Sequence, residues 1–213
     1  MNLKFYRADE GYCEFLRKSD PCVPYVQDAK NIRPFVGILI SVNRLDYFAP
    51  LTSPKPKHLN MKSQLDFMKI NGGVWGAINF NNMIPIHPSC LTVVDMKATP
   101  TDSKAIADYK HLLANQLSWC NSNRGRIVTQ AEKLYHLIIS QKARPELMKR
   151  CCNFAIDEEQ CRAYCKLHRI KTVTTGLATK PSILVGLHEK QRQIAETPRG
   201  ISDKKPHKHD PDR

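Results

Sequence analysis

Between Thr52 and His58 the chain gathers two hydroxyls, two ammonium groups and an imidazole in the stretch "TSPKPKH". Thr52 and Ser53 can donate to and accept from the oxygens of a phosphate group. Lys55 and Lys57 can neutralise its charge. A lysine beside a phosphodiester can also stabilise the extra negative charge of a pentacoordinate transition state. Pro54 and Pro56 restrict the backbone between these groups, which lowers the cost of holding them in one arrangement. His58 is a candidate acid or base, and the neighbouring lysines favour its neutral form. The same residues also read as a solvated basic turn with ordinary Ser/Thr backbone bonds. Residue types alone do not choose between the two.

The elements on either side decide what meets this stretch. "PFVGILISV" (34–42) and "LDYFAPL" (45–51) are rich in β-branched and aromatic residues and predict two strands. Asn43-Arg44 between them suits a two-residue turn, because asparagine tolerates a positive φ. In an unbroken register Val42 faces Leu45 and Phe35 faces Thr52. Arg33 then lies opposite Pro54 and beside Lys55. A bulge would shift that pairing.

Further along, residues 9–18 place Tyr12, Phe15 and Leu16 on one helical face. "VWGAINF" (74–80), "MIPI" (83–86) and "CLTVVDM" (90–96) predict short strands, and Pro85 confines its strand to an edge or a bulge. From Pro100 the period becomes helical. Thr101 or Asp102 is the expected cap of a helix carrying Ile106, Tyr109, Leu113, Leu117 and Cys120. After Gly125 a second stripe runs through Ile127, Val128, Ala131, Leu134, Tyr135, Ile138 and Ile139, and a third helix is expected over 157–168. The fold class is α+β: a small antiparallel sheet followed by helices that cover part of it. Residues 1–168 are expected to form one domain. Residues 169–213 lose the pattern and read as a basic, flexible extension.

Composition narrows the classes of partner. An apolar fraction of 41% is ordinary for a globular protein, and no apolar run approaches a membrane span. The charged start "MNLKFYRADEGY" lacks the apolar core of a signal peptide, so a cytoplasmic location and no membrane partner are expected. The eight cysteines are scattered or adjacent and are expected to be reduced thiols. The net charge is +13; residues 170–213 hold nine of the 33 Lys/Arg and five of the 20 Asp/Glu, which leaves +9 on the body. A body this basic is compatible with an anionic partner, of which nucleic acid is the common one.

The stretch "YFAPLTSPKPKH" resembles the ToxN/AbiQ family, endoribonuclease toxins of type III toxin–antitoxin systems. "RPFVGILI", "INFNNMIPI", "YKHLLANQL" and "CNFAIDEE" are similar to the same family, in order and at similar spacing, over about residues 3–165. The resemblance implies a twisted antiparallel sheet related to the Kid/MazF barrel. It implies RNA cleavage without metal or other cofactor, leaving 2′,3′-cyclic phosphate and 5′-hydroxyl ends. It implies an antitoxin RNA, processed from repeats into pseudoknots that occupy and inhibit the active groove, with closed protein–RNA assemblies and cellular and phage RNA as substrates. By position, the family's Thr-Ser-x-Lys site falls on Thr52, Ser53 and Lys55, and its basic residue ahead of the Phe-x-Gly strand falls on Arg33. Lys57 and His58 are expected to contact RNA. Tyrosines that some members place near the site stand here as Ala29 and Ala114.

Other constellations are weaker. Cys161, Cys165 and His168 share a helical face near Cys151 and Cys152, yet cysteines at this spacing are more often small core residues, and no metal site is expected. Trp75, among Gly72, Gly73 and Gly76, suits either a base-stacking platform or, more commonly, a core strand. Two other functions fit the same residues: a non-catalytic RNA-binding module, and a type II toxin with a protein antitoxin.

Overall fold

The computed structural model describes residues 2–25 and 34–170. Arg33, Ala29 and all but the first two residues of the expected extension lie outside the described residues. Strand β1 (Lys4–Ala8) leads into helix α1 (Glu10–Arg17), capped by Asp9, whose carboxylate accepts from the Tyr12 amide. Strands β2 (Phe35–Val42) and β3 (Leu45–Thr52) follow, then a five-residue helix α2 (Pro56–Asn60). The short strands β4 (Phe67–Lys69), β5 (Ala77–Asn79), β6 (Ile84–Pro85) and β7 (Leu91–Val93) complete the sheet. Four helices come last: α3 (Lys104–Ser122), α4 (Arg124–Ile139), α5 (Pro145–Arg150) and α6 (Phe154–Leu167).

The α+β class is therefore met. The sheet runs β4-β5-β3-β2-β1-β7, antiparallel at each step, with β6 also on β3. Among the described residues it is not closed: its ends, β4 and β7, do not pair, so the barrel expected from the Kid/MazF kinship is not formed. Among the described residues β6 pairs only with β3, in keeping with its proline.

The β2–β3 hairpin turns on Asn43 (φ 53) and Arg44 (φ 64), both left-handed as a tight turn of this type demands. Near the turn the register is the one predicted, with Val42 opposite Leu45. Between Val36 and Ile40 it shifts, and Phe35 faces Pro50 rather than Thr52. Gly37 sits in this irregularity because the Phe48 ring occupies its side-chain space; a β-carbon there would stand 2.1 Å from the ring. The expected position of Arg33 opposite Pro54 rested on the unbroken register, and Arg33 itself lies outside the described residues.

α6 fastens the hairpin from behind. Glu158 is buried and accepts from Tyr135 Oη (2.7 Å), Tyr47 Oη (3.0 Å), Asn43 Nδ2 (3.0 Å) and Arg162 Nη2 (3.1 Å). Burial pushes its carboxyl up, but these four donors outweigh it and leave the group below its ordinary value. Tyr47, Tyr135 and Phe154 pack ring to ring around it, with centroids 5.4–5.8 Å apart. Tyr47 is thus a core residue.

The helical stripes hold only in part. Ile127, Ala131, Leu134, Tyr135 and Ile138 of α4 are buried as predicted, whereas Ile139 is exposed. α3 buries Leu113, Gln116 and Cys120 but exposes Ile106 and Tyr109, so its first half lies off the core. Its cap is Ser103 rather than the expected Thr101 or Asp102.

Candidate RNA-cleavage site

Thr52 closes β3, paired with Ala77 of β5, and is buried. The chain then leaves the sheet, and Ser53, Lys55 and Lys57 are exposed. Pro56 takes the first position of α2, where its missing N–H costs nothing, and Lys55 is the N-cap. The stretch expected to be a stiffened loop is therefore a strand end, a three-residue link and one helical turn. The His58 amide donates to the Lys55 carbonyl (2.9 Å) and that of Met61 to Lys57 (3.0 Å), which fixes where the lysines start.

A second loop, 70–76, braces the first from beneath. Gly76 (φ 92) presses on the β3 exit: a β-carbon there would lie 2.0 Å from the Thr52 carbonyl oxygen and 3.1 Å from the Ser53 carbonyl carbon. Gly73 (φ 101) does the same to His58, with its carbonyl oxygen at 2.6 Å. Both conformations are left-handed, so glycine is required twice over. Lys69 Nζ donates to the Leu59 carbonyl (3.1 Å) and ties β4 to the end of α2. Gln116 Nε2 donates to the Trp75 carbonyl (2.5 Å) and pins the second loop to α3. Trp75 lies half-buried in this turn rather than in the strand expected over 74–80, which shrinks to β5.

His58, expected at the surface against RNA, is instead 2% exposed and lies 5.6 Å from the Phe67 ring. Burial, and then Lys55 and Lys57, push its pKa down and keep the ring neutral. Its Nδ1 has no partner among the described residues. The histidine is a prop under the loop as the geometry stands.

The arrangement offers a buried hydroxyl, an exposed hydroxyl and two exposed ammonium groups on a backbone held from below. This is a suitable cradle for a phosphodiester. Sequence reasoning found the Thr52–His58 stretch but missed Gly73, Gly76 and Gln116. The signal for Gln116 was a polar residue on the Leu113–Cys120 stripe. The glycines' role needs the facing loop and has no local signature. Cys161 and Cys165 are core thiols, burial pushing both up, Cys161 to about 12, and His168 stacks on Tyr164 at 4.1 Å rather than joining them.

Comparison with known proteins covers the same ground. The family model "Toxin ToxN, type III toxin-antitoxin system" matches residues 4–162. The chain is 33% identical over 172 residues to endoribonuclease ToxN of Pectobacterium atrosepticum, covering 77% of this chain and 95% of the relative. It is 30% identical over 169 residues to endoribonuclease ToxN of Bacillus thuringiensis subsp. kurstaki, covering 76% and 84%. Among solved structures, AbiQ, a lactococcal anti-phage endoribonuclease of the type III toxin–antitoxin system, superposes with a TM-score of 0.65 at 25% identity. That match covers 78% of this chain and 99% of AbiQ. A toxin structure describing selective inhibition by a non-coding RNA pseudoknot superposes at 0.64, with 28% identity over 77% of this chain and 98% of that one. With three quarters of its length matched, from β1 into α6, the chain belongs to the ToxN family of type III toxin–antitoxin toxins.

Proposed function

We propose that the chain is a sequence-selective endoribonuclease, acting in the cytoplasm and restrained by an antitoxin RNA. The observation that carries this is the braced Thr52–Lys55 segment, lying inside the family match with its hydroxyls and ammonium group in place. Residues 1–168 form the catalytic domain, on a sheet akin to the Kid/MazF barrel, and residues 169–213 stand outside it.

In the reaction a 2′-OH of the substrate attacks the adjacent phosphorus and the bond to the 5′-oxygen breaks. The products are a 2′,3′-cyclic phosphate and a 5′-hydroxyl. RNA brings its own nucleophile, so neither a protein nucleophile nor a metal is needed. Thr52 and Ser53 position the phosphate, Lys55 and Arg33 stabilise the transition-state charge, and Lys57 contacts the RNA backbone. The burial of His58 fits a supporting role beneath them. The base that removes the 2′ proton is unassigned. The antitoxin is a repeat-derived pseudoknot that the toxin processes and that then fills the groove, in a closed protein–RNA assembly.

The test is cleavage of an mRNA pool in EDTA by wild type and by Lys55→Ala, with product ends mapped and folding checked by circular dichroism. Cyclic-phosphate ends made only by wild type support the reading. Absence of cleavage by folded wild type refutes it.

A further inference from the structure

Asp157 lies in the first turn of α6, is 0% exposed, and neither of its carboxylate oxygens has a hydrogen-bond or ion-pair partner among the described residues. A carboxyl group in that position loses its hydration and gains nothing in return, which disfavours its burial unless something compensates. What faces it is not a cation. One oxygen each of Asp20 and Asp157 and the Sγ of Cys152 all lie within 4.8 Å of one another, and all three residues are buried. Two carboxyl groups and a thiol gathered out of solvent are the reverse of what burial alone would select.

The surroundings hold the donors in place. Asp20 Oδ1 accepts from the Cys22 amide (2.8 Å) and Oδ2 from the Asn153 amide (2.6 Å), so its carboxylate is fixed between the exit of α1 and the cap of α6. The Cys152 amide donates to the Asn81 carbonyl (2.7 Å), which fixes the backbone carrying the thiol. The Asp157 amide donates to the Asn153 carbonyl (2.9 Å) in the ordinary helical way. Partners of this kind are what orient the ligands of protein metal sites.

We propose that Asp20, Cys152 and Asp157 form a structural divalent-cation site, best matched to Zn2+, that ties the exit of α1 to the first turn of α6. Thiolate with carboxylates suits zinc, whose donors at about 2.0–2.3 Å from the metal stand on the order of 3.5 Å apart, within small side-chain rotations of the present arrangement. Three protein donors leave a fourth tetrahedral corner for water or for the thiol of Cys22, two residues after Asp20. Burial and Asp20 push Asp157 up to about 8, and burial together with Asp157 and Asp20 raises Cys152; a bound cation reverses both effects and releases protons. The donors come from neither the 52–58 segment nor the 70–76 loop. The cation would therefore hold the fold together and take no part in the chemistry, and the inference does not rest on that chemistry.

The test uses the full chain, purified without chelator and without a metal-affinity step, and then titrated with Co2+ as a spectroscopic stand-in. Expected are one zinc per chain by elemental analysis and a thiolate-to-cobalt charge-transfer band on titration. Cys152→Ser should lose that band and Cys151→Ser should keep it. Asp157→Asn, an isostere of the protonated acid, should stay folded, bind Co2+ at least about tenfold more weakly and lose the thermal stabilisation that Zn2+ gives wild type. Folded wild type with neither bound zinc nor a cobalt band would overturn the proposal, and Asp157 would then be a buried protonated acid. A band that survives Cys152→Ser would overturn it as well.

Discussion

Gly76 lies directly against the Thr52 carbonyl, so close that no side chain fits between the loop of one and the strand end of the other. The contact decides the height at which the chain leaves β3, and with it where Ser53 and Lys55 begin. The side chains proposed to act on RNA, Ser53 and Lys55 among them, are exposed, but their position is set by backbone pressed on backbone.

Gly76→Ala adds a methyl at a positive φ and against that carbonyl. It should cost about 2 kcal/mol or more and remove cleavage by displacing the segment. Urea unfolding and a cleavage assay on the same sample measure the two effects; unchanged stability would mean that the two loops separate freely.

Ser53→Ala and Lys55→Ala change exposed side chains outside the core. Each should shift stability by no more than about 0.5 kcal/mol while abolishing toxicity in cells and cleavage in vitro. Retained toxicity in both variants would sink the assignment of the site.

His58 gives a pH dependence with a definite sign. Burial, with Lys55 and Lys57, lowers its folded-state pKa, so above about pH 6.5 the ring is neutral in both states and its contribution to stability is complete. As pH falls below that value the unfolded chain binds the proton first, and stability is lost until the folded-state pKa is passed. The urea midpoint should drop between about pH 7.5 and about pH 5, and should drop less in His58→Phe, which keeps a ring against Phe67. Equal losses in the two proteins would show that the imidazole is not shielded.

Gln116→Met removes one hydrogen bond, to the Trp75 carbonyl, and one buried acceptor, Oε1, that has no partner among the described residues. The two effects oppose, so global stability should change by less than about 1 kcal/mol. Amide exchange in residues 70–76 should nevertheless quicken, and cleavage should fall several-fold as the brace loosens. Protection of that loop equal to wild type would remove Gln116 from the supporting set.

Much of this molecule was legible where local rules suffice. Asn43-Arg44 marked its turn because few residues other than glycine adopt a positive φ easily, and Pro85 marked an edge. The register beyond Gly37 was not legible, since the shift depends on where the Phe48 ring lies across the neighbouring strand. α2 was missed because Pro56 reads equally as a stiffener of loops and as the first residue of a helix. β1 was missed because "KFYRA" is short and charged at its start. At the candidate site the side chains proposed to act showed in the sequence as residue types. Their supports are glycines and one glutamine whose meaning comes only from what lies opposite.

The Glu158 latch has a consequence for synthesis. Tyr47 finds its partner 111 residues downstream and Asn43 finds its own 115 residues downstream. A ribosome that has delivered the hairpin and its hydroxyls has therefore not delivered the carboxylate that satisfies the hairpin's buried polar groups, nor Gln116 behind the second loop. Contacts of such sequence separation form late and slowly. The order of translation itself thus keeps the nascent toxin unassembled until nearly all of the matched domain has emerged.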